Sequence, residues 1–67
     1  MIYINTEYIT LGQLLKMTGI IQSGAQAKFA VKELDILVNG QKEDRRGRKL
    51  YPKDVVIINQ VEYIIDQ

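Results

Sequence analysis

The chain has no cysteine, no histidine and no tryptophan, and only one proline and one phenylalanine. Each absence excludes something. Without cysteine there is no disulfide to staple a small fold, and a reducing compartment is expected. Without cysteine and histidine there is no ligand set for a structural zinc. The best nucleophile and the commonest general base are missing with them. The lone serine, Ser23, is explained as a helix cap. No apolar run approaches the roughly 20 residues of a membrane helix. The start, Met1-Ile2-Tyr3-Ile4-Asn5, lacks the basic and apolar regions of a signal peptide. The expectation is a soluble, cytoplasmic, non-catalytic protein with no cofactor, no metal, no membrane partner and no small-molecule substrate.

What is present fits one small domain over residues 1–67. A chain this short buries only about 60% of the surface its unfolded form exposes, so packing alone must hold it. The hydrophobic content of 46% is ordinary for a folded domain. The formal net charge of +1 is uninformative as a total, but its distribution is not. From Lys42 to Lys53 there are six basic and two acidic residues, a local +4; the rest has three basic and six acidic, a net −3. A basic, glycine-containing loop on an apolar scaffold points to a polyanion, although most charge runs are solvated loops.

The chain order reads strand, helix, helix, then short strands. Ile2-Tyr3-Ile4 is a short strand if Tyr3 faces outward. Thr10 and Gln13 form a capping box, and Ile9 and Leu14 a hydrophobic staple. Leu11, Leu14, Leu15 and Thr18 share a face, Gly19 stops the helix, and Ile20-Ile21 is a connector tucked into the core. Ser23 and Gln26 repeat the capping logic. On the second helix Ala27, Ala30, Val31 and Leu34 form one stripe, opposite Ala25, Lys28, Phe29 and Lys32. Ile36-Leu37-Val38 is a strand ending at the turn Asn39-Gly40. Val55-Val56-Ile57-Ile58 reads as buried on both faces, and Asn59-Gln60 turns it into Val61–Ile65. The expected architecture is α+β, two helices of the N-terminal half on a small antiparallel sheet with a short N-terminal strand.

Phosphate recognition is well supplied. Arg45-Arg46-Gly47-Arg48-Lys49 sets four cations in five residues, and arginine's planar fork matches phosphate oxygens. Lys28 and Lys32, four apart, add a second cationic pair. Glu43-Asp44 reads as charge compensation in a solvated loop rather than an acid/base dyad. Phe29 and Tyr51 each have two readings. They are stacking platforms for an unpaired base, or they are covered; for Phe29 the cover would be the N-terminal strand or Tyr8, and that is the favoured of its two readings.

From Leu11 to Asp54 the sequence resembles the RNA-binding domain named after ribosomal protein S-four. The resemblance rests on Leu11-Gly12-Gln13-Leu14-Leu15, Gly19-Ile20-Ile21, Ser23 with Ala27, Ile36-Leu37-Val38-Asn39-Gly40, and Lys53-Asp54-Val55. The run Arg45–Tyr51 is similar to that of short, stand-alone bacterial proteins of this type. Three positions depart from the pattern. Gly24 stands where an arginine commonly follows the serine, and Leu34 and Lys53 stand where the family has glycine. The resemblance implies the S-four-like (alpha-L) fold with its motif core at 10–58. It also implies a structured RNA, ribosomal or transfer RNA, held between helix two and the loop after Val38-Asn39-Gly40. Lys28, Lys32, Arg45, Arg46, Arg48 and Lys49 are then expected at phosphates. Asn39 would shape the turn, and Ser23 and Gln26 would stand at the helix start beside the ligand. A bacterial copy would act on ribosomal RNA in ribosome assembly or quality control. The alternative is a protein-interaction module docking its basic loop on an acidic partner. A sulfur-carrier β-grasp would need a terminal Gly-Gly where this chain reads Ile65-Asp66-Gln67.

Overall fold

A computed structural model describes all 67 residues, from Met1 to Gln67. The elements are β1 (Ile2–Tyr3), β2 (Ile9–Thr10), α1 (Leu11–Met17), a 3-10 turn (Gly24–Gln26) running into α2 (Ala27–Glu33), β3 (Ile36–Val38), β4 (Gln41–Lys42), β5 (Lys49–Leu50), β6 (Val55–Ile58) and β7 (Val61–Asp66). Two helices pack on a five-stranded sheet of order β1-β7-β6-β3-β4, and β2 pairs with β5 in a separate ribbon. The result is the expected α+β fold. The sheet is antiparallel except at one edge, where β1 runs parallel to β7. A strand separated from its neighbour by most of the chain has no hairpin constraint on its direction.

Local chemistry sets the element ends. The Thr10 hydroxyl accepts from the Gln13 amide, and the Gln13 side chain accepts from the Thr10 amide at 2.7 Å. This is the reciprocal capping box. Gly19 takes φ +79°, a left-handed conformation that ends α1 cheaply only at glycine. At the second helix the Gln26 side-chain oxygen Oε1 accepts from the amides of Gln22 and Ser23 at 2.6 and 3.1 Å. That entry winds as a 3-10 turn before α2 begins at Ala27, later than the Ser23 cap alone suggests.

The core lies between the helices and one sheet face. Leu11, Leu14 and Leu15 of α1 are fully buried, and Ala27 and Val31 of α2 meet Ile36, Val38, Val56, Ile58 and Ile65 of the sheet in one cluster. Ile9, the residue before the α1 cap, is buried in the same cluster. Two expectations need correction. Ile21 is buried but Ile20 is exposed, because a tight connector turns alternate side chains away. Along β6 only Val56 and Ile58 are fully buried; Val55 and Ile57 are half-buried, since no layer covers the outer sheet face.

Asn39 and Gly40 take φ +51° and +84°, joining β3 to β4. Positive φ at both central residues is the turn that matches strand twist. Asn39 also ties this hairpin to β6. Its side-chain oxygen accepts from the Val55 amide at 2.9 Å, and its side-chain NH2 donates to Asp54 at 3.0 Å. Asn59 and Gln60 take the same left-handed pair, φ +47° and +73°, between β6 and β7.

Candidate nucleic-acid interface

The basic segment leaves β4 at Lys42 and returns to the fold at β5. It is not a free loop. The Leu11 amide donates to the Arg48 carbonyl and the Gly12 amide to the Arg46 carbonyl, both at 2.9 Å. These two amides are among those a helix start leaves without intrahelical partners. The loop therefore supplies part of the α1 cap, and α1 in turn holds the loop. The Arg48 amide closes the tip on the Arg45 carbonyl at 3.2 Å.

The loop's inner anchor is Glu43, which was expected to be solvated and is not. It is only 7% exposed. Strand geometry explains this. The Glu43 amide donates to the Ile36 carbonyl at 3.0 Å, which continues the β3–β4 ladder one step past Lys42. Residues opposite each other across a ladder point to the same face, and Ile36 faces the core. The carboxylate lies just under the surface beneath two arginines. It accepts from Arg45 Nε at 2.8 Å, Arg45 Nη2 at 3.0 Å, the Arg45 amide at 3.0 Å and Arg48 Nη1 at 2.8 Å. The hydrogen bond from the Arg45 side chain, with those from Arg48 and the Arg45 amide, outweighs burial and lowers the Glu43 pKa from 4.5 to about 2. The same bond from the other side raises the Arg45 pKa above its ordinary value.

The expected site residues fall into two groups. Arg46 and Gly47 share a shallow hollow with Gly12, Gly24 and Ala27, at the start of the second helix. The Gln26 side-chain oxygen accepts from the amides of Gln22 and Ser23, which shapes that start, while both Ser23 and Gln26 stay exposed there. Further along α2, Lys32 reaches Asp44 at 3.9 Å, an exposed pair that ties helix and loop loosely. Lys28 stands over the Phe29 ring at 5.2 Å. The second group, Arg45, Arg48, Lys49 and Tyr51, lines a separate open hollow with Gly47 and Asp54. Lys49 lies over the Tyr8 ring at 4.9 Å.

The aromatic readings separate. Phe29 is 62% exposed and is not covered as favoured. The N-terminal strand is held on the far sheet edge by β7. Tyr8 packs instead on Tyr51, with ring centroids 5.7 Å apart. Tyr51 remains partly exposed within that pair. Among the features that escaped sequence reading are the β2–β5 ribbon and the buried Glu43. The ribbon strands are two residues each, too short for a periodic signal. Glu43 did carry a signal, since counting the pleat outward from the Asn39-Gly40 turn puts it on the core face.

No three acidic side chains converge as a group that would hold a metal ion. No helix is long and apolar enough to cross a membrane. A family model described as the S4 domain matches residues 2–66. The chain belongs to the S4 domain family. It is 56% identical over 57 residues to the probable ribosome maturation protein RlbA of Bacillus subtilis (strain 168), an alignment covering 85% of this chain and 80% of that protein. No solved structure gives a significant match. The resemblance seen between Leu11 and Asp54 thus extends over nearly the whole chain, including β1 and β7. Of the three departures, Lys53 has a visible consequence. It takes φ +80° in the turn closed by the Asp54 amide on the Tyr51 carbonyl, a conformation natural to glycine. Asp54 steadies that turn by accepting from the Tyr51 amide at 2.8 Å.

Proposed function

We propose that this S4 domain protein is a non-catalytic binder of structured RNA, foremost ribosomal RNA, acting in the cytoplasm during ribosome maturation or quality control. The observation that supports this best is the basic loop fastened to the start of α1 through two main-chain hydrogen bonds. A cationic loop held in one shape suits a folded RNA, whose phosphates also have fixed positions. Arg46, Lys28 and Lys32 would meet phosphates along α2. Arg45, Arg48 and Lys49 would meet a second stretch of backbone on the other hollow. Glu43 occupies only part of each arginine's donor set, and the remaining N–H groups are free for phosphate. Phe29, exposed beside Lys28, is available to stack on an unpaired base. The maturation role is carried over from the name of the Bacillus relative.

Competition binding tests this reading. A folded ribosomal RNA fragment should bind at low salt and be displaced by unlabelled copies of itself well before duplex DNA or a single strand of equal length. Failure of all three nucleic acids to bind at low salt would remove the RNA reading and leave an acidic protein surface as the loop's partner.

A further inference from the structure

A carboxylate at the heart of an RNA-binding loop looks counterproductive, because it repels phosphate and neutralises arginine. The geometry around Glu43 shows another use. Its two oxygens receive four hydrogen bonds, and three of them come from guanidinium groups. Arg45 is gripped through two nitrogens at once, which fixes the plane of its fork as well as its position. Arg48 is held by Oε1, the oxygen that also accepts from Arg45 Nη2. Their main chain is pinned separately, at the start of α1 and at the loop tip. Both side chains are thus held by contacts that need no ligand, although Arg45 remains largely exposed.

We infer that Glu43 is a positioning residue for RNA recognition, holding Arg45 and Arg48 in the orientation in which they meet two phosphates of a folded RNA. The inference rests on the RNA-binding reading above. Its physical basis is entropy. An arginine free to sample its rotamers must be ordered on binding, whereas one already held is not. The charge removed by Glu43 is a loss for any polyanion, while the order it imposes is a gain only for a ligand whose phosphates match. Glu43 therefore trades general affinity for discrimination in favour of folded RNA.

This predicts opposite responses to one substitution. Glu43→Gln keeps the side-chain shape, adds one unit of positive charge and turns an NH2 toward an arginine. Binding to a folded ribosomal RNA fragment should weaken roughly tenfold, about the loss for two side chains newly ordered on binding. Binding to heparin, a polyanion without a fixed fold, should stay the same or tighten. In an Arg45→Ala/Arg48→Ala background the further change Glu43→Gln should no longer weaken RNA binding, since the groups it acts through are gone. Equal or tighter RNA binding by Glu43→Gln in the otherwise intact protein would overturn the inference. So would parallel weakening toward RNA and heparin in a variant that remains folded. If the variant does not fold, the wild-type protein decides. The Arg45 and Arg48 side-chain Nε–H groups, observed by NMR relaxation without RNA, should have order parameters near the rigid limit of about 0.85, and values under about 0.6 would overturn the inference. The RNA reading fails differently, as wild-type protein that binds no RNA at all.

Discussion

The grip on Glu43 should show as a specific dependence of stability on acid. Its carboxyl pKa falls from 4.5 in an ordinary setting to about 2 in the fold. A group with a depressed folded-state pKa stabilises the fold above its unfolded value. That contribution is lost as pH falls through the window from about 4.5 to about 2. Undamped, the displacement corresponds to roughly 3 kcal/mol. Arg45, the larger of its partners, is mostly exposed. Solvent screening therefore brings the contribution to about 1–2 kcal/mol. For a domain of this size that is a shift in melting temperature of roughly 5–15 °C. The assay is thermal unfolding by circular dichroism of the wild type and Glu43→Gln, in steps from pH 7 to pH 2.5. The wild type should be the more stable at neutral pH, and the gap should close across the stated window. Subtracting the two curves removes the other carboxylates, which titrate in both proteins. A gap that stays constant down to pH 2.5 would refute a Glu43 carboxylate stabilised by its two arginines.

Other substitutions probe other joints. Lys53→Gly should raise stability by about 0.5–1 kcal/mol in chemical denaturation, because glycine takes the left-handed conformation without the clash of a Cβ. Asn39→Ala should lower stability by about 2 kcal/mol, since it orphans the Val55 amide and places alanine at φ +51°. Phe29→Ala should leave the melting temperature nearly unchanged, as expected for a side chain 62% exposed, while weakening RNA binding by about 1 kcal/mol or more if a base stacks there. Arg46 has no ion-pair partner in the fold. Arg46→Ala should therefore weaken RNA binding and reduce the salt dependence of log K by about 1, without a change in unfolding.

Much of this fold is legible because short-range chemistry agrees with the tertiary structure. The Thr10–Gln13 box, the leucine face of α1, the Gly19 stop and the Asn39-Gly40 turn each depend on residues within a few positions of one another. Periodicity also marked the core stripe of α2, and Tyr3 does face outward, as the reading of β1 as a strand requires. What was not legible depends on distant pairing. The parallel placement of β1 beside β7 needs a partner more than sixty residues away. The ribbon of β2 and β5 joins pieces too short to announce themselves, and it is this ribbon that brings Tyr8 under Lys49 and onto Tyr51. For the candidate site, the location of the positive charge was legible, but its division between two hollows was not. A linear count of charges cannot tell a solvated glutamate from one that organises its neighbours. Glu43 differs from Asp44 by a single step of the pleat, and that step decides which is buried.

Ultraviolet crosslinking in growing bacteria, followed by sequencing of the RNA attached to the purified protein, tests the central claim most directly. Ribosomal RNA should be enriched at a small number of discrete positions, with the signal lost in an Arg45→Ala/Arg46→Ala/Arg48→Ala variant that remains folded. Recovery of no RNA above background, or equal recovery with that variant, would contradict it.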